Sequence, residues 1–314
     1  MNVPIPVIGR LSPDELTTYL NLLNERLPNE QFVCASSLSA NERAQCDIAV
    51  VANPEPKALE QFTSLVWVHS VWAGVENLVT HIGNKHIKIV RLVDPNLAQV
   101  MSEAVLAWTL YLHRNMPEYN KQQTQKLWRS LTYCLPHHRQ VGILGLGELG
   151  KTSVQRLAQN GFNVIGWSRQ QKQIDGVSCF SGEAGLNEVL LRADILISLL
   201  PLTSQTRYLL DKVNLSKLPT GSAIINFSRG AIVDIDALVH LLNDGHVSHA
   251  VLDVFDQEPL PASSDLWSHP NITILPHISA PTMAESACDI VSNNIQEYRL
   301  TGNIPPHVNA LVGY

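Results

Sequence analysis

A short apolar run, Val141-Gly142-Ile143-Leu144, leads without a break into Gly145-Leu146-Gly147-Glu148-Leu149-Gly150, and this junction limits the possible folds of the chain more than any other feature. The run has the length of a buried strand, and Leu149 to Gln159 beyond it reads as a helix, so a strand must turn directly into a helix. Three glycines at this spacing suit such a turn. Gly145 permits the reversal, Gly147 lets another group approach the main chain, and Gly150 lets the helix lie close against the strand. The first N–H groups of that helix have no partner inside it, and its dipole favours negative charge there. A unit of this kind belongs to a parallel sheet covered by helices on both faces.

The rest of the sequence repeats the alternation. After the glycine turn come Val164 to Trp167, Ile195 to Leu200, Ala223 to Phe227, Ala250 to Val254 and Ile272 to Leu275, separated by helical windows such as Asp234 to Leu242. Ahead of it, Pro6 to Gly9, Phe32 to Ala35, Asp47 to Val51, Leu65 to His69 and Ile87 to Val90 form a first series. Ser12-Pro13-Asp14-Glu15 is a capping box with proline at the first helical position, continued by Leu16, Leu20 and Leu23 as an amphipathic helix. The two series predict an α/β chain of two doubly wound domains, the second one larger. Asp94-Pro95-Asn96 is turn chemistry ahead of the apolar helical stretch Ser102 to His113, and the domain boundary is placed there. A final helix, Ala284 to Leu300, ends at Thr301-Gly302.

Composition excludes several classes of partner. Of the 314 residues, 45% are hydrophobic and 16% charged, the balance of an ordinary globular protein. Lys and Arg number 22 against 28 Asp and Glu, so no basic excess recommends nucleic acid. The five cysteines show no CxxC spacing and are odd in number, which suits reduced thiols, and the adjacent His137 and His138 lack a third ligand at a suitable spacing, so no metal is expected. Met1 to Gly9 has neither a charged n-region nor a long apolar core, and no stretch approaches 18 apolar residues, so a cytoplasmic protein without a membrane span is expected.

In its βαβ setting the glycine pattern points to a dinucleotide pyrophosphate held by Gly145, Leu146, Gly147, Glu148, Leu149 and Gly150; a structural glycine turn and a methyltransferase-type loop are the other readings. About twenty residues further on, an NAD site usually carries an acid for the ribose hydroxyls. Here stand Ser168 and Arg169, with Lys172 close behind. A carboxylate would repel a 2′-phosphate, whereas Arg169 can take it in charge-assisted hydrogen bonds, so NADPH is the expected cofactor and NADH a possible one. The alternative is a solvated basic turn.

These residues resemble the D-isomer-specific 2-hydroxyacid dehydrogenase family, and within it the A-type glyoxylate/hydroxypyruvate reductases. The resemblance covers nearly the whole chain. Besides the glycine fingerprint it rests on Leu200-Pro201-Leu202-Thr203 with Thr206, on Asn226-Phe227-Ser228-Arg229-Gly230, on Leu252-Asp253 through Glu258-Pro259-Leu260, and on Leu266-Trp267 through Pro276-His277-Ile278-Ser279-Ala280. It implies a Rossmann NAD(P)-binding domain over residues 95–282 and a flavodoxin-like substrate domain over residues 1–94 plus 283–314. It makes His277 the acid/base, Glu258 its carboxylate partner and Arg229 the cation that binds the substrate. It also implies cofactor contacts from Leu200, Pro201, Thr206, Phe227, Ser228 and Asp253, the last toward the nicotinamide carboxamide. Ser70 to Glu76 resembles the substrate loop, with Trp72, Ala73, Gly74 and Val75 at the 2-oxo acid. The chemistry suits these residue types: hydride transfer to a ketone leaves negative charge on oxygen, which an imidazolium can protonate and a guanidinium can polarise.

Taken singly, His277, Glu258 and Arg229 could be a loop histidine, a turn carboxylate and a surface ion pair; their shared place at strand ends favours a site. The chain departs from the family pattern at Ser228, where alanine is usual, at Glu76, where Asp is more common, and at Trp72, where many members have a small residue. Core packing is the other reading of Trp72. The segment before Val141 lacks the usual glycine and tryptophan spacing, leaving Trp128 to serve the interface of an expected homodimer. The rival readings are an NAD-dependent phosphoglycerate, lactate or formate dehydrogenase and a dinucleotide-sensing corepressor.

Overall fold

Each apolar run of the first series becomes a parallel strand: β1 (Ile5–Gly9), β2 (Phe32–Cys34), β3 (Ile48–Ala52), β4 (Trp67–Ser70) and β5 (Lys88–Val90), in the order β2-β1-β3-β4-β5. The reason is visible in β3, which is buried at every position. Its residues Ile48, Val50 and Ala52 pack with Tyr19 and Leu23 of the helix Pro13–Arg26 and with Val291 and Ile295 of the helix Ala284–Thr301. The intervening Ala49 and Val51 meet Leu59, Leu78 and Ile82 on the opposite face. Strand geometry sends alternate side chains to opposite faces, so a continuous apolar run supplies two cores at once. The order is that of flavodoxin-like sheets.

The second series gives seven parallel strands: β6 (Gln140–Leu144), β7 (Asn163–Ser168), β8 (Ser178–Ser181), β9 (Ile195–Ser198), β10 (Ser222–Asn226), β11 (Val247–Leu252) and β12 (Ile272–Ile274). Their order, β12-β11-β10-β9-β6-β7-β8, is the Rossmann arrangement with one further strand at the β12 edge. Val141, Ile143, Ile195, Ile197 and Ile225 face one core and Leu144, Leu196 and Ile224 the other. Both β7 and β9 pair with β6, so the strand order reverses there. Ligands bind such sheets just beyond the carboxyl ends of the strands at the reversal.

This computed structural model describes residues 3–82 and 86–309, so both chain ends of the expected substrate domain lie outside the described residues. The chain falls into two compact units, Met1–Asn96 with Thr282–Tyr314, and Leu97–Pro281. The capping box forms as the sequence predicts, Glu15 N donating to Ser12 Oγ at 3.3 Å and Ser12 N to Glu15 Oε2 at 2.8 Å. The apolar helix begins earlier than its apolar stretch, at Pro95, because the Asp94 carboxylate accepts from Asn96 N at 2.8 Å ahead of a proline that needs no donor. Strand β8 escapes sequence reading: Ser-Cys-Phe-Ser carries no apolar alternation, and it is extended by pairing along β7 at the sheet edge.

Candidate active site

The site is built on the larger unit, from the loops that follow its strands. Strand β6 ends at Leu144, and Gly145 turns the chain at φ +103°, its N–H donating to Trp167 O at 2.8 Å. A Cβ at Gly150 would lie 1.8 Å from Gly145 O, so only glycine lets the helix Glu148–Gln159 start this close to the turn. At Gly147, which caps that helix without a side-chain hydrogen bond, an added Cβ would meet nothing within 4 Å. The space over this peptide is open, and a pyrophosphate fits the combination of an approachable main chain and a helix N-terminus. Leu146 is buried in the core and Leu149 packs partly against it, while Glu148 is exposed.

Strand β7 ends at Ser168, which is buried and donates its hydroxyl to Gln170 O at 2.7 Å. Arg169 and Lys172 that follow are both exposed. Gln171 braces this turn, donating to Cys179 O at 2.8 Å and accepting from Ser181 Oγ at 2.9 Å. After β9, Leu200 is buried and Thr206 closes the loop, donating to Pro201 O at 2.6 Å and accepting from Thr203 N at 2.8 Å.

The three charged residues come from the next three strand ends. Arg229 follows β10, half-buried, with its Nη1 donating to Ser228 O at 2.6 Å. Phe227 and Ser228 before it are buried. A Cβ at Gly230 would come within 2.1 Å of Phe255 C, so the Arg229 loop lies directly against the loop that carries Glu258. Glu258 folds back on its own loop, Oε1 accepting from Phe255 N at 2.9 Å, and its Oε2 accepts from His277 Nδ1 at 2.8 Å. His277 itself stands at φ +55°, a left-handed conformation that few residues other than glycine adopt. Asp253, 2% exposed, holds it there from below by accepting from Ile278 N at 2.7 Å and Ser279 N at 2.9 Å.

The electrostatics follow from these contacts. Hydrogen bonding to Glu258 raises the His277 imidazolium above its ordinary pKa; burial and the Arg229 charge oppose that, while the charges of Glu258 and Asp253 add to it. Partial burial pushes the Glu258 carboxyl up, but the bonds from His277 and Phe255 N, with the charges of His277 and Arg229, outweigh it and hold the group below its ordinary value. Arg229 acts on both partners, so all three charges share one electrostatic environment. The arrangement favours the protonated imidazole, and with Nδ1 engaged by Glu258, Nε2 is the ring nitrogen left for another partner.

Trp72, Ala73, Gly74 and Val75 belong to the other unit. Trp72 packs its ring against the core of that unit, and its main chain is tied by Ser70, whose hydroxyl donates to Trp72 O at 2.9 Å and accepts from Trp72 N at 3.1 Å. Sequence reasoning missed Ser198, which pairs with Ser228, and Tyr208, which stands at φ +50° and donates to Asp256 Oδ2 at 3.2 Å beside the Glu258 loop. Neither carries a sequence signal: a serine closing an apolar strand and a tyrosine in a polar loop are ordinary occurrences. Among the described residues no group of three or more His, Cys, Asp or Glu is placed to hold a metal ion, and no helix is long and apolar enough to cross a membrane.

A two-sheet α/β fold with a glycine turn at the strand-order reversal, and an Arg, Glu and His at successive strand ends, defines a class of protein. The chain belongs to the D-isomer specific 2-hydroxyacid dehydrogenase family; the profile of that family's NAD binding domain matches residues 106–279. A glyoxylate/hydroxypyruvate reductase A of Yersinia enterocolitica is 39% identical over 291 residues, covering 90% of this chain and 91% of the relative, and its counterpart from Serratia proteamaculans is 36% identical over 301 residues, covering 93% and 94%. Among solved structures, a D-isomer specific 2-hydroxyacid dehydrogenase of Xanthobacter autotrophicus Py2 in complex with NADPH and MES matches with a TM-score of 0.92 at 32% identity, covering 99% of this chain and 100% of that one. An NADPH-dependent glyoxylate/hydroxypyruvate reductase of Sinorhizobium meliloti in complex with NADP and sulfate matches with a TM-score of 0.91 at 31% identity over the full length of both chains.

Proposed function

We propose that this chain is an NADPH-preferring reductase of small 2-oxo acids, taking glyoxylate to glycolate and hydroxypyruvate to glycerate. The observation that carries the reading is the 2.8 Å contact between His277 Nδ1 and Glu258 Oε2, with the Arg229 charge bearing on both. The names of the relatives from Yersinia and Sinorhizobium support the same substrates and cofactor.

Bound NADPH supplies the hydride. His277 holds a proton on Nε2 and delivers it to the oxygen on which negative charge develops. Glu258 keeps the ring oriented and charged. Arg229 offers a planar fork to the carboxylate and polarises the carbonyl beside it. Asp253 fixes the His277 loop, and its remaining lone pairs can accept from a nicotinamide carboxamide. The glycine segment Gly145 to Gly150, with Leu200, Pro201, Thr206, Phe227 and Ser228, takes the rest of the dinucleotide, with Arg169 and Lys172 at the 2′-phosphate. In this reading the larger unit is the dinucleotide domain and the smaller one the substrate domain, in which Ala73, Gly74 and Val75 offer main-chain N–H groups to the 2-oxo acid and Trp72, whose own N–H is taken by Ser70, supplies an aromatic wall.

We further place the enzyme in the cytoplasm as a homodimer. Five unpaired cysteines support the first statement. Support for the second is the exposure of several large apolar side chains over residues 110–135, namely Leu110, Met116, Leu127, Trp128, Tyr133 and Leu135. Light scattering with and without Trp128→Ala tests the dimer. The test of the main proposal is NADPH oxidation over a panel of 2-oxo acids by wild type and His277→Gln. Turnover should fall by about 10²- to 10⁴-fold while NADPH affinity holds; near-native turnover in the variant would end the assignment.

A further inference from the structure

We propose that Ser228 is a positioning residue for Arg229, acting through a buried hydroxyl pair with Ser198. The inference rests on the reading of Arg229 as the group that binds the 2-oxo acid. Ser198 closes β9 and is fully buried, Ser228 is 4% exposed and Asn226, at the end of β10, is 1% exposed. Ser228 Oγ donates to Asn226 Oδ1 at 2.6 Å. Its single hydrogen is then in use, so in the 2.9 Å contact between the two hydroxyls Ser198 donates and Ser228 accepts.

The chain of donors continues to the arginine. Asn226 Oδ1 also accepts from Ser228 N at 3.2 Å, and Asn226 Nδ2 donates to Arg229 O at 3.0 Å. Arg229 Nη1 returns to Ser228 O at 2.6 Å. The Asn226 amide therefore spans the turn that presents the guanidinium. Two donors from Ser228 fix which way that amide faces, since a flipped amide would set its NH₂ against the Ser228 N–H. Through Ser198 the same network ties the turn to the end of β9, where the chain runs on to Leu200 and Pro201. Alanine at 228 would leave the Ser198 hydroxyl fully buried without this acceptor and the Asn226 carbonyl with one donor fewer. A guanidinium that binds a carboxylate bidentately depends on its angle, so loosening this turn should be felt more in the 2-oxo acid than in the cofactor.

Steady-state kinetics with glyoxylate and NADPH on Ser228→Ala, Ser198→Ala, the double variant and Arg229→Gln test this. Expected is a rise of about three- to tenfold in the glyoxylate KM of Ser228→Ala, the effect of one compromised hydrogen bond, larger than any rise in the NADPH KM, and no further rise on adding Ser198→Ala. A glyoxylate KM that stays at the wild-type value while Arg229→Gln raises it overturns the positioning role alone. So does a parallel rise in the NADPH KM, or two effects that simply add. A glyoxylate KM indifferent to Arg229→Gln removes instead the reading of Arg229 on which the proposal stands. Should Ser228→Ala fail to fold, Ser198→Ala, which keeps the Ser228 to Asn226 bond, is read by the same KM split.

Discussion

His277 and Glu258 show how two ordinary residues acquire their chemistry from one contact. The Glu258 hydrogen bond raises the imidazole pKa, and with His277 as the proposed proton donor, reduction should be lost as pH rises through a value above the ordinary 6.5 of histidine. Glu258→Gln removes the charge that favours the imidazolium and leaves only a neutral amide oxygen to accept from it. The alkaline limb of the pH–rate profile for reduction should then move to lower pH, and a limb that does not move would mean that Glu258 is structural. Arg169 carries the second prediction at this scale. One hydrogen bond to a charged phosphate is worth about 1.5–3 kcal/mol, or roughly a 10- to 150-fold preference. Ser168→Asp with Arg169→Leu should therefore transfer selectivity from NADPH toward NADH. The ratio of kcat/KM for the two cofactors, at one ionic strength, measures it; a wild type that already favours NADH contradicts the assignment. Both candidates can be proposed from the sequence because charge and spacing survive without coordinates. The Ser198 to Ser228 bridge cannot, because it joins positions brought together only by the pairing of β9 with β10.

At the scale of elements, the strand, turn and helix around Gly145 to Gly150 bear the most testable load. A methyl group at 150 would have to push the helix Glu148–Gln159 off the Gly145 carbonyl. Gly150→Ala should therefore cost about 1–3 kcal/mol of stability and weaken NADPH binding along with it. Thermal unfolding and cofactor titration of the variant check both effects, and a variant with wild-type values on the two measurements would falsify the close-packing argument. Most of the parallel strands were readable because they carry apolar residues on both faces, as Ile48 to Ala52 does. Ser178–Ser181 was not, because an edge strand takes its conformation from its neighbour β7 and needs no periodicity of its own.

For the whole molecule, each unit keeps a neutral histidine inside. His69 is fully buried in the smaller unit, where its Nδ1 donates to Ser70 O at 2.9 Å and its Nε2 accepts from Asn294 at 2.8 Å. His249 lies in the larger unit, its Nε2 meeting Thr273 Oγ1 at 2.8 Å. Burial pushes both from 6.5 down to about 4. The unfolded chain takes up these protons first as pH falls, so stability should be full above about 6.5, decline toward 4 and level off below, by an order-of-magnitude 3 kcal/mol for each histidine. Urea midpoints at pH 7 and pH 5 measure this; equal midpoints would contradict it.

By itself the sequence determined the two doubly wound sheets and the glycine turn, because period and breaker residues are local properties that neighbours along the chain cannot hide, and its motifs offered Arg229, Glu258 and His277 as candidates. Only the tertiary structure decided how those charges act on one another. Whether Glu258 meets His277, whether Asp253 holds the left-handed turn at His277, and whether Ser228 reaches Ser198 all depend on loops from separate strands arriving at one edge of a sheet. Hydrogen bonds form only over a few ångströms, and no spacing along the sequence fixes separations of that kind between segments far apart in the chain.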